Sequence, residues 1–368
     1  MTTTTVLFLW HVPEPLRRFL RQGLSDAAGV RLLFPEDAAD AELTDLASQA
    51  EVMVGWRPTP AVLAAADRLR LFINPGAGVR HLLDAFRALE EARGVRLVNG
   101  HGNSAFTAQH AVALLLALTN RVVPHHNWMA SGLWRTGDER AGSVPLGGRH
   151  IGLLGYGAVN RTVHRYLAGL GPRFSALWRT GPEGGRELAA GSPGAAPTIA
   201  APATARYGVD PGAPLPTALR AYGPRDLDAF LEAVDVVVVA VPLTDRSAGL
   251  IGRRELTLLG PDGLLVNVAR GPVVVESDLF AALREGALGG AALDVWYDYQ
   301  PRPDEGGRLY PYAPAHPFHE LHNVVLSPHR AASPFDDLHR WAEVVENIRR
   351  LAAGRDDLLN VVDLERGY

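Results

Sequence analysis

Residues 150–160 read His-Ile-Gly-Leu-Leu-Gly-Tyr-Gly-Ala-Val-Asn, and no other stretch constrains the fold of this chain as strongly. A short apolar strand runs into a tight turn at Gly155 and Gly157. A helix then begins at Ala158 and Val159 and carries its apolar positions on through Val163, Tyr166, Leu167 and Leu170. Glycines let a backbone turn sharply and approach a pyrophosphate closely. The helix N-terminus behind them offers unpaired N–H groups and a partial positive charge. The pattern predicts a dinucleotide site at the start of a second α/β domain.

The residues before this turn alternate between strand and helix patterns. Strands are expected at Val6–Trp10, Val30–Phe34, Val52–Gly55, Leu71–Asn74 and Val95–Asn99, with helical segments between them. After the turn come Phe174–Trp178, Val234–Val241, Gly263–Val268, Gly290–Leu293 and Val324–Leu326. Strands alternating with helices predict parallel sheets covered on both faces. The domain expectation is 1–104 plus 334–368 for one unit and 105–333 for the other. The stretch at about 181–220 is rich in Ala, Gly and Pro, without periodicity, and reads as a surface insertion.

Composition narrows the chemistry. The chain has no cysteine and no lysine. Thiolate nucleophiles, cysteine zinc sites, Schiff bases and a phosphate-loop lysine are therefore excluded. Acid–base work near neutral pH falls to histidine, carboxylate or tyrosine. A net charge of −4 gives no bulk basic field for nucleic acid, and no apolar run reaches bilayer length. Neither nucleic acid nor membrane is expected as a partner, and the expected location is the cytoplasm. His316, His319 and His322 have a spacing that suits a metal, but Pro317 breaks the helical register, and no metal is expected.

The residues able to do chemistry share one property: each follows a predicted strand. Gly155 and Gly157 follow the first strand of the second domain and Arg179 the second. Pro242 and Thr244 follow the third, Ala269 and Arg270 the fourth, Asp294 the fifth and His329 the sixth. Ligands of open parallel sheets bind at that carboxyl edge. An arginine fork suits a carboxylate, and a histidine suits proton transfer.

These motifs, in this order, resemble the D-isomer specific 2-hydroxyacid dehydrogenase family. The resemblance runs through Pro75–Val79, Asn103–His110, the Gly155 turn, Val241–Thr244, Asn267–Gly271, Ala292–Trp296 and Ser327–His329. It implies two Rossmann-like, doubly wound α/β domains, one flavodoxin-like and substrate-binding, the other binding NAD or NADP. It further implies hydride transfer between nicotinamide and a small 2-oxo or 2-hydroxy acid, with Arg270 and His329 catalytic. Gly78, Val79 and Asn103 would hold substrate, and Asp294 the nicotinamide carboxamide. The aromatic arm at 125–144 resembles a dimerisation segment, which implies a homodimer. Two rival readings are a formate- or phosphorus-acid-oxidising relative and a non-catalytic NAD(P)-sensing protein.

Three positions depart from the family pattern. Asn160 stands at the third glycine of the turn, which predicts a helix set slightly further from the sheet. Arg179 replaces the acidic residue that would bind a ribose and repel a 2′-phosphate, which favours NADP. The glutamate expected to pair with His329 is absent. Tyr299 falls at its offset, and Asp298 and Gln300 are the candidate partners on either side.

Overall fold

The computed structural model describes residues 3–135, 141–192, 214–332 and 336–368. It divides into two compact units, residues 3–103 with 336–368 and residues 104–192 with 214–332.

The first unit has strands β1 (Thr4–Phe8), β2 (Val30–Leu33), β3 (Val52–Val54), β4 (Leu71–Asn74) and β5 (Arg96–Asn99). All pair in parallel, in the order β2-β1-β3-β4-β5. That is the doubly wound flavodoxin-like order. Alternate residues serve opposite faces. Leu7, Met53, Phe72 and Leu97 pack under α2 (Asp40–Ala47), α3 (Pro60–Ala65) and α4 (Leu83–Arg93). Val6, Phe8, Val52, Val54, Leu71, Ile73 and Val98 pack under α1 (Glu14–Gly23) and a helix near the C-terminus, Ala342–Ala352. Burial on both faces explains why these strands read as unbroken apolar runs rather than alternating ones.

The second unit begins with α5 (Ser104–Thr119) and α6 (Val122–Ala130). Its sheet contains β6 (His150–Leu154), β7 (Arg173–Leu177), β8 (Arg186–Leu188), β9 (Leu219–Tyr222), β10 (Val236–Val239), β11 (Leu264–Asn267), β12 (Gly290–Leu293) and β13 (Val324–Leu326). The order is β13-β12-β11-β10-β6-β7-β9-β8, parallel except for the β8–β9 pair. Its helices are α7 (Ala158–Ala168), α8 (Leu227–Glu232), α9 (Arg253–Leu259) and α10 (Glu276–Glu285). The helix Ala342–Ala352 is then α11. Strand order reverses between β6 and β10, so the Gly155 turn sits at the topological switch point.

The insertion needs correcting. Within 181–220, Arg186–Leu188 forms an edge strand, and Leu219–Tyr222 extends the sheet beside β7, with Leu219, Ala221 and Tyr222 buried. Each strand is too short for its periodicity to stand out beside Gly- and Pro-rich neighbours. The middle of the expected insertion, 193–213, lies outside the described residues.

Among the described residues no single helix is long and apolar enough to cross a membrane. The most apolar, α5, packs Ala108, Ala111, Leu114 and Leu115 into the core beneath β6, β10 and β11.

Candidate active site

The sheet of the second unit brings its candidate residues to one edge. β6 ends at Leu154, and Gly155 follows with φ +85°, a left-handed conformation that favours glycine. A Cβ there would lie 2.7 Å from the carbonyl oxygen of Ala240 on the neighbouring chain segment. Gly157 caps α7 without a side-chain hydrogen bond, and a Cβ on it would meet nothing within 4 Å. The first turn of α7, with Ala158 and Val159, thus presents backbone N–H groups to an open space beside the switch point. This cradle fits a dinucleotide pyrophosphate.

Asn160 is fully buried and takes up the role left by the missing glycine. Its amide donates to the carbonyls of Leu154 (3.2 Å), Gly155 (2.8 Å) and Val238 (3.0 Å). It stitches α7 to the turn and to β10. Arg179 is exposed two residues beyond β7. Beyond β10, Ser247 organises the loop of Pro242 and Thr244. Its hydroxyl donates to Pro242 O at 2.6 Å and accepts from Thr244 N at 2.8 Å. Sequence reasoning missed Ser247, although a serine three residues after a threonine in a loop is a recognisable turn signal.

Arg270 is half-buried, three residues past β11. Asn267 at the strand end sets its backbone, accepting from Ala269 N (3.1 Å) and donating to Arg270 O (3.1 Å). The Arg270 Nη1 donates to Ala269 O at 2.6 Å, which orients the guanidinium. His329 lies three residues past β13 with φ +55°, a conformation that non-glycine residues adopt only where the surroundings impose it. The Arg270 charge reaches both His329 and Tyr299, so these three groups share one electrostatic neighbourhood. Partial desolvation and then Arg270 push the His329 pKa below its ordinary value. Arg330 adds to this, and Asp294 opposes it.

One expectation changes here, and a second residue gains a structural role. First, neither Asp298 nor Gln300 partners His329. Asp298 accepts from Gln300 N at 2.8 Å and so closes its own turn, and Gln300 is exposed. The ring against the imidazole is that of Tyr299, with centroids 5.4 Å apart at 62°. Its hydroxyl accepts from Trp296 N at 3.3 Å. The Asp298 turn leaves the Tyr299 ring, though 55% exposed, as the side chain of this run that lies against His329.

Second, Asp294 is 1% exposed, and both its oxygens are engaged. It accepts from the Ser327 hydroxyl (2.5 Å), Arg330 N (2.7 Å) and Ala331 N (3.0 Å), with His110 Nε2 at 3.4 Å. These bonds make Asp294 a strut for the His329 loop. Burial opposes its charge, but the groups of His110, Ser327, Arg330 and Ala331 outweigh burial and hold its pKa below the usual value. His110 and Ser327 were legible only as parts of longer motifs.

In the first unit, Asn74 and Asn99 organise the loop Pro75–Val79. Asn74 Nδ2 donates to Gly76 O and, at 3.3 Å, to Gly78 O, while Asn99 Nδ2 donates to Ala77 O at 2.8 Å. In a trans peptide the N–H points opposite the C=O. With three successive carbonyls turned toward the two asparagines, the N–H groups of Ala77, Gly78 and Val79 face the other way, an arrangement suited to an anion. The Asn103 Oδ1 is buried without a hydrogen-bond partner.

Two of the three histidines of the 316–322 segment have other occupations. His316 faces Glu276 at 3.3 Å. His319 stacks on Tyr310 and bonds the Tyr312 hydroxyl at 2.8 Å, and His322 is exposed. Among the described residues no group of acidic and histidine side chains is placed to hold a metal.

A doubly wound parallel sheet with a glycine cradle at its switch point and an Arg–His pair along the same edge defines a nicotinamide-dependent oxidoreductase. Residues 199–331 match the D-isomer specific 2-hydroxyacid dehydrogenase, NAD binding domain. A glyoxylate reductase of Thermococcus gammatolerans is 32% identical over 80% of this chain and 76% of its own. A glyoxylate/hydroxypyruvate reductase (HPR3) of Arabidopsis thaliana is 27% identical over 97% of this chain and 95% of its own. The crystal structure of a D-isomer specific 2-hydroxyacid dehydrogenase from Xanthobacter autotrophicus Py2, in complex with NADPH and MES, superposes with TM-score 0.69 at 25% identity, covering 100% of both chains. The chain belongs to the D-isomer specific 2-hydroxyacid dehydrogenase family. It is an NAD(P)-dependent oxidoreductase that acts on 2-oxo and 2-hydroxy acids.

Proposed function

We propose that this enzyme reduces a small 2-oxo acid of glyoxylate or hydroxypyruvate size, with NADP favoured over NAD. The observation that carries the reading is the shared neighbourhood of Arg270 and His329 on the edge that holds the Gly155 cradle. Residues 105–333 serve as the NAD(P)-binding domain, and residues 1–104 with 334–368 bind substrate. The N–H groups near Gly78 and Val79, with the Asn103 side chain, hold the substrate carboxylate. Arg270 suits a carboxylate and an adjacent carbonyl oxygen with its planar fork, drawing electron density from the carbon that reacts. When bound, the nicotinamide supplies or accepts the hydride. His329 delivers a proton to the carbonyl oxygen in reduction and removes it in oxidation. Asp294 holds the loop that aims His329, and Pro242, Thr244 and Ala269 line the edge beside the cradle.

Arg179 carries the NADP preference, since a cation at the end of β7 suits a 2′-phosphate where an acid would repel it. The relatives named above support the substrate class. Lack of lysine disfavours the phosphorus-acid alternative.

The protein acts as a homodimer in the cytoplasm. No residue of α6 is buried, and Met129, Leu133 and Trp134 expose 58%, 47% and 72% of their surface. An apolar run of that kind suits a partner copy. Sedimentation that finds only monomer, or fractionation that places the protein outside the cytoplasm, removes those two statements.

The decisive experiment is a panel of 2-oxo acids, formate and phosphite with NADH and NADPH, followed by nicotinamide absorbance. Turnover of small 2-oxo acids is expected. NADPH binding without turnover of any of them would replace this reading with a sensing role.

A further inference from the structure

Glu343 is 2% exposed in the first turn of α11, and the chemistry proposed above does not use it. Its Oε2 accepts from the backbone N–H of His101 at 2.6 Å and from Asn360 Nδ2 at 3.4 Å, and the N–H of Gly102 also faces the carboxyl. Its Oε1 is buried without a hydrogen-bond partner. A buried carboxyl with one unserved oxygen is costly, so its retention calls for an explanation.

The segment it grips is short and tightly held. Asn99 N donates to Asn360 O at 3.1 Å and Gly100 N to Gly76 O at 3.2 Å. A Cβ on Gly100 would lie 2.5 Å from Pro75 O, and one on Gly102 would lie 2.2 Å from Arg340 O. Backbone is thus packed directly on backbone from the 75–79 loop, through 99–102, to the start of α11. Asn103 is the next residue.

We infer that Glu343 is a positioning residue for substrate. Its carboxyl, by accepting from the N–H of His101 with the N–H of Gly102 beside it, fixes segment 99–103 and through it both the Pro75–Val79 loop and the Asn103 side chain. This rests on the assignment of Gly78, Val79 and Asn103 to substrate binding.

Ionisation of Glu343 enters the same linkage. Burial lifts its pKa to about 7, opposed by the N–H groups of His101 and Gly102 and by the Asn360 amide. No charged side chain is among the causes. His101 is held neutral by burial, with its pKa lowered to about 4. Arg340, in the preceding turn, is set by its own burial and by Asp337. On α1, Arg17 and Arg21 lie over Phe34, and Glu14 faces Arg21. After α11, Asp357 faces Arg350 and Arg355. Because the folded pKa exceeds the ordinary 4.5, the stability this group contributes is full below that value and declines as pH rises toward about 7. Ionisation thus costs more in burial than the N–H groups return, and it loosens the hold on 99–103.

The test compares Glu343→Ala and Glu343→Gln with wild type. Expected for Ala is a rise of about ten-fold in KM for the 2-oxo acid, with kcat and the KM for NADPH changed by less than about two-fold. In the unliganded protein, amide exchange of residues 75–79 and 99–103 should speed up, while that of β6 and β10 stays the same. Gln keeps an acceptor and should keep wild-type KM and protection. It should also lack the decline in protection of 99–103 that wild type shows as pH rises toward about 7. Unchanged exchange in Ala overturns the inference. So does a Gln variant as unprotected as Ala, or an Ala variant whose kcat and NADPH KM move as much as its substrate KM. If wild type reduces no 2-oxo acid, the proposed function falls, and the exchange measurements still decide the role of Glu343.

Discussion

Tyr299 sets its ring against the His329 imidazole at 62°, with centroids 5.4 Å apart, where a carboxylate would raise the basicity of the histidine. An aromatic ring packs and orients the imidazole without favouring its proton. With Arg270 in the same neighbourhood, His329 titrates below its ordinary range. Reduction needs the protonated imidazole, so its rate should fall as pH rises through that lowered pKa, whereas oxidation should gain. Tyr299→Glu should move the ionisation upward in the pH profile of kcat/KM, and Tyr299→Phe should leave it in place. A Glu variant with the wild-type profile would show that the ring position does not govern His329.

Arg270→Lys keeps the charge but loses the planar fork whose Nη1 donates to Ala269 O. Transition-state stabilisation lost this way is worth about 3 kcal/mol, so kcat/KM should fall roughly a hundred-fold with little change in NADPH affinity. Steady-state kinetics with cofactor binding measured separately checks both halves.

Arg179→Asp should reverse the cofactor preference, lowering kcat/KM for NADPH by about ten-fold or more while NADH improves or holds. An unchanged NADPH/NADH ratio would remove Arg179 from cofactor selection.

Asn160→Ala deletes a buried amide that serves three carbonyls. Loss of those bonds with a small cavity should cost about 2 kcal/mol, read by urea unfolding.

Asp294→Asn should loosen the His329 loop and cost about 2 kcal/mol near neutral pH, since a charged acceptor for several donors becomes neutral. The wild-type carboxylate has a pKa depressed below 3.8. Its contribution is present above that value and is lost as pH falls through the folded pKa. Acid unfolding should therefore be less steep in the variant than in wild type.

Much of this protein was legible in one dimension. Unbroken apolar strands separated by helical patterns imply parallel sheets, because burial on both faces removes polar alternation. Strand-end positions then collect Gly155, Arg270, Asp294 and His329 on one edge, since parallel strands all present their carboxyl ends to the same side. Local order alone decides both results. β8 and β9 escaped because so few residues carry no readable period, and their pairing depends on β7, which is distant in sequence. The partner of His329 depended on which way one turn rolls, and that is decided by the Asp298 carboxyl closing on Gln300 N. The saturation of Asp294 requires donors from α5 and from beyond β13, and the grip of Glu343 on His101 joins residues from opposite ends of the first unit. Contacts of that kind exist only after the chain has closed on itself, because a hydrogen bond between distant segments leaves no periodic trace in either one.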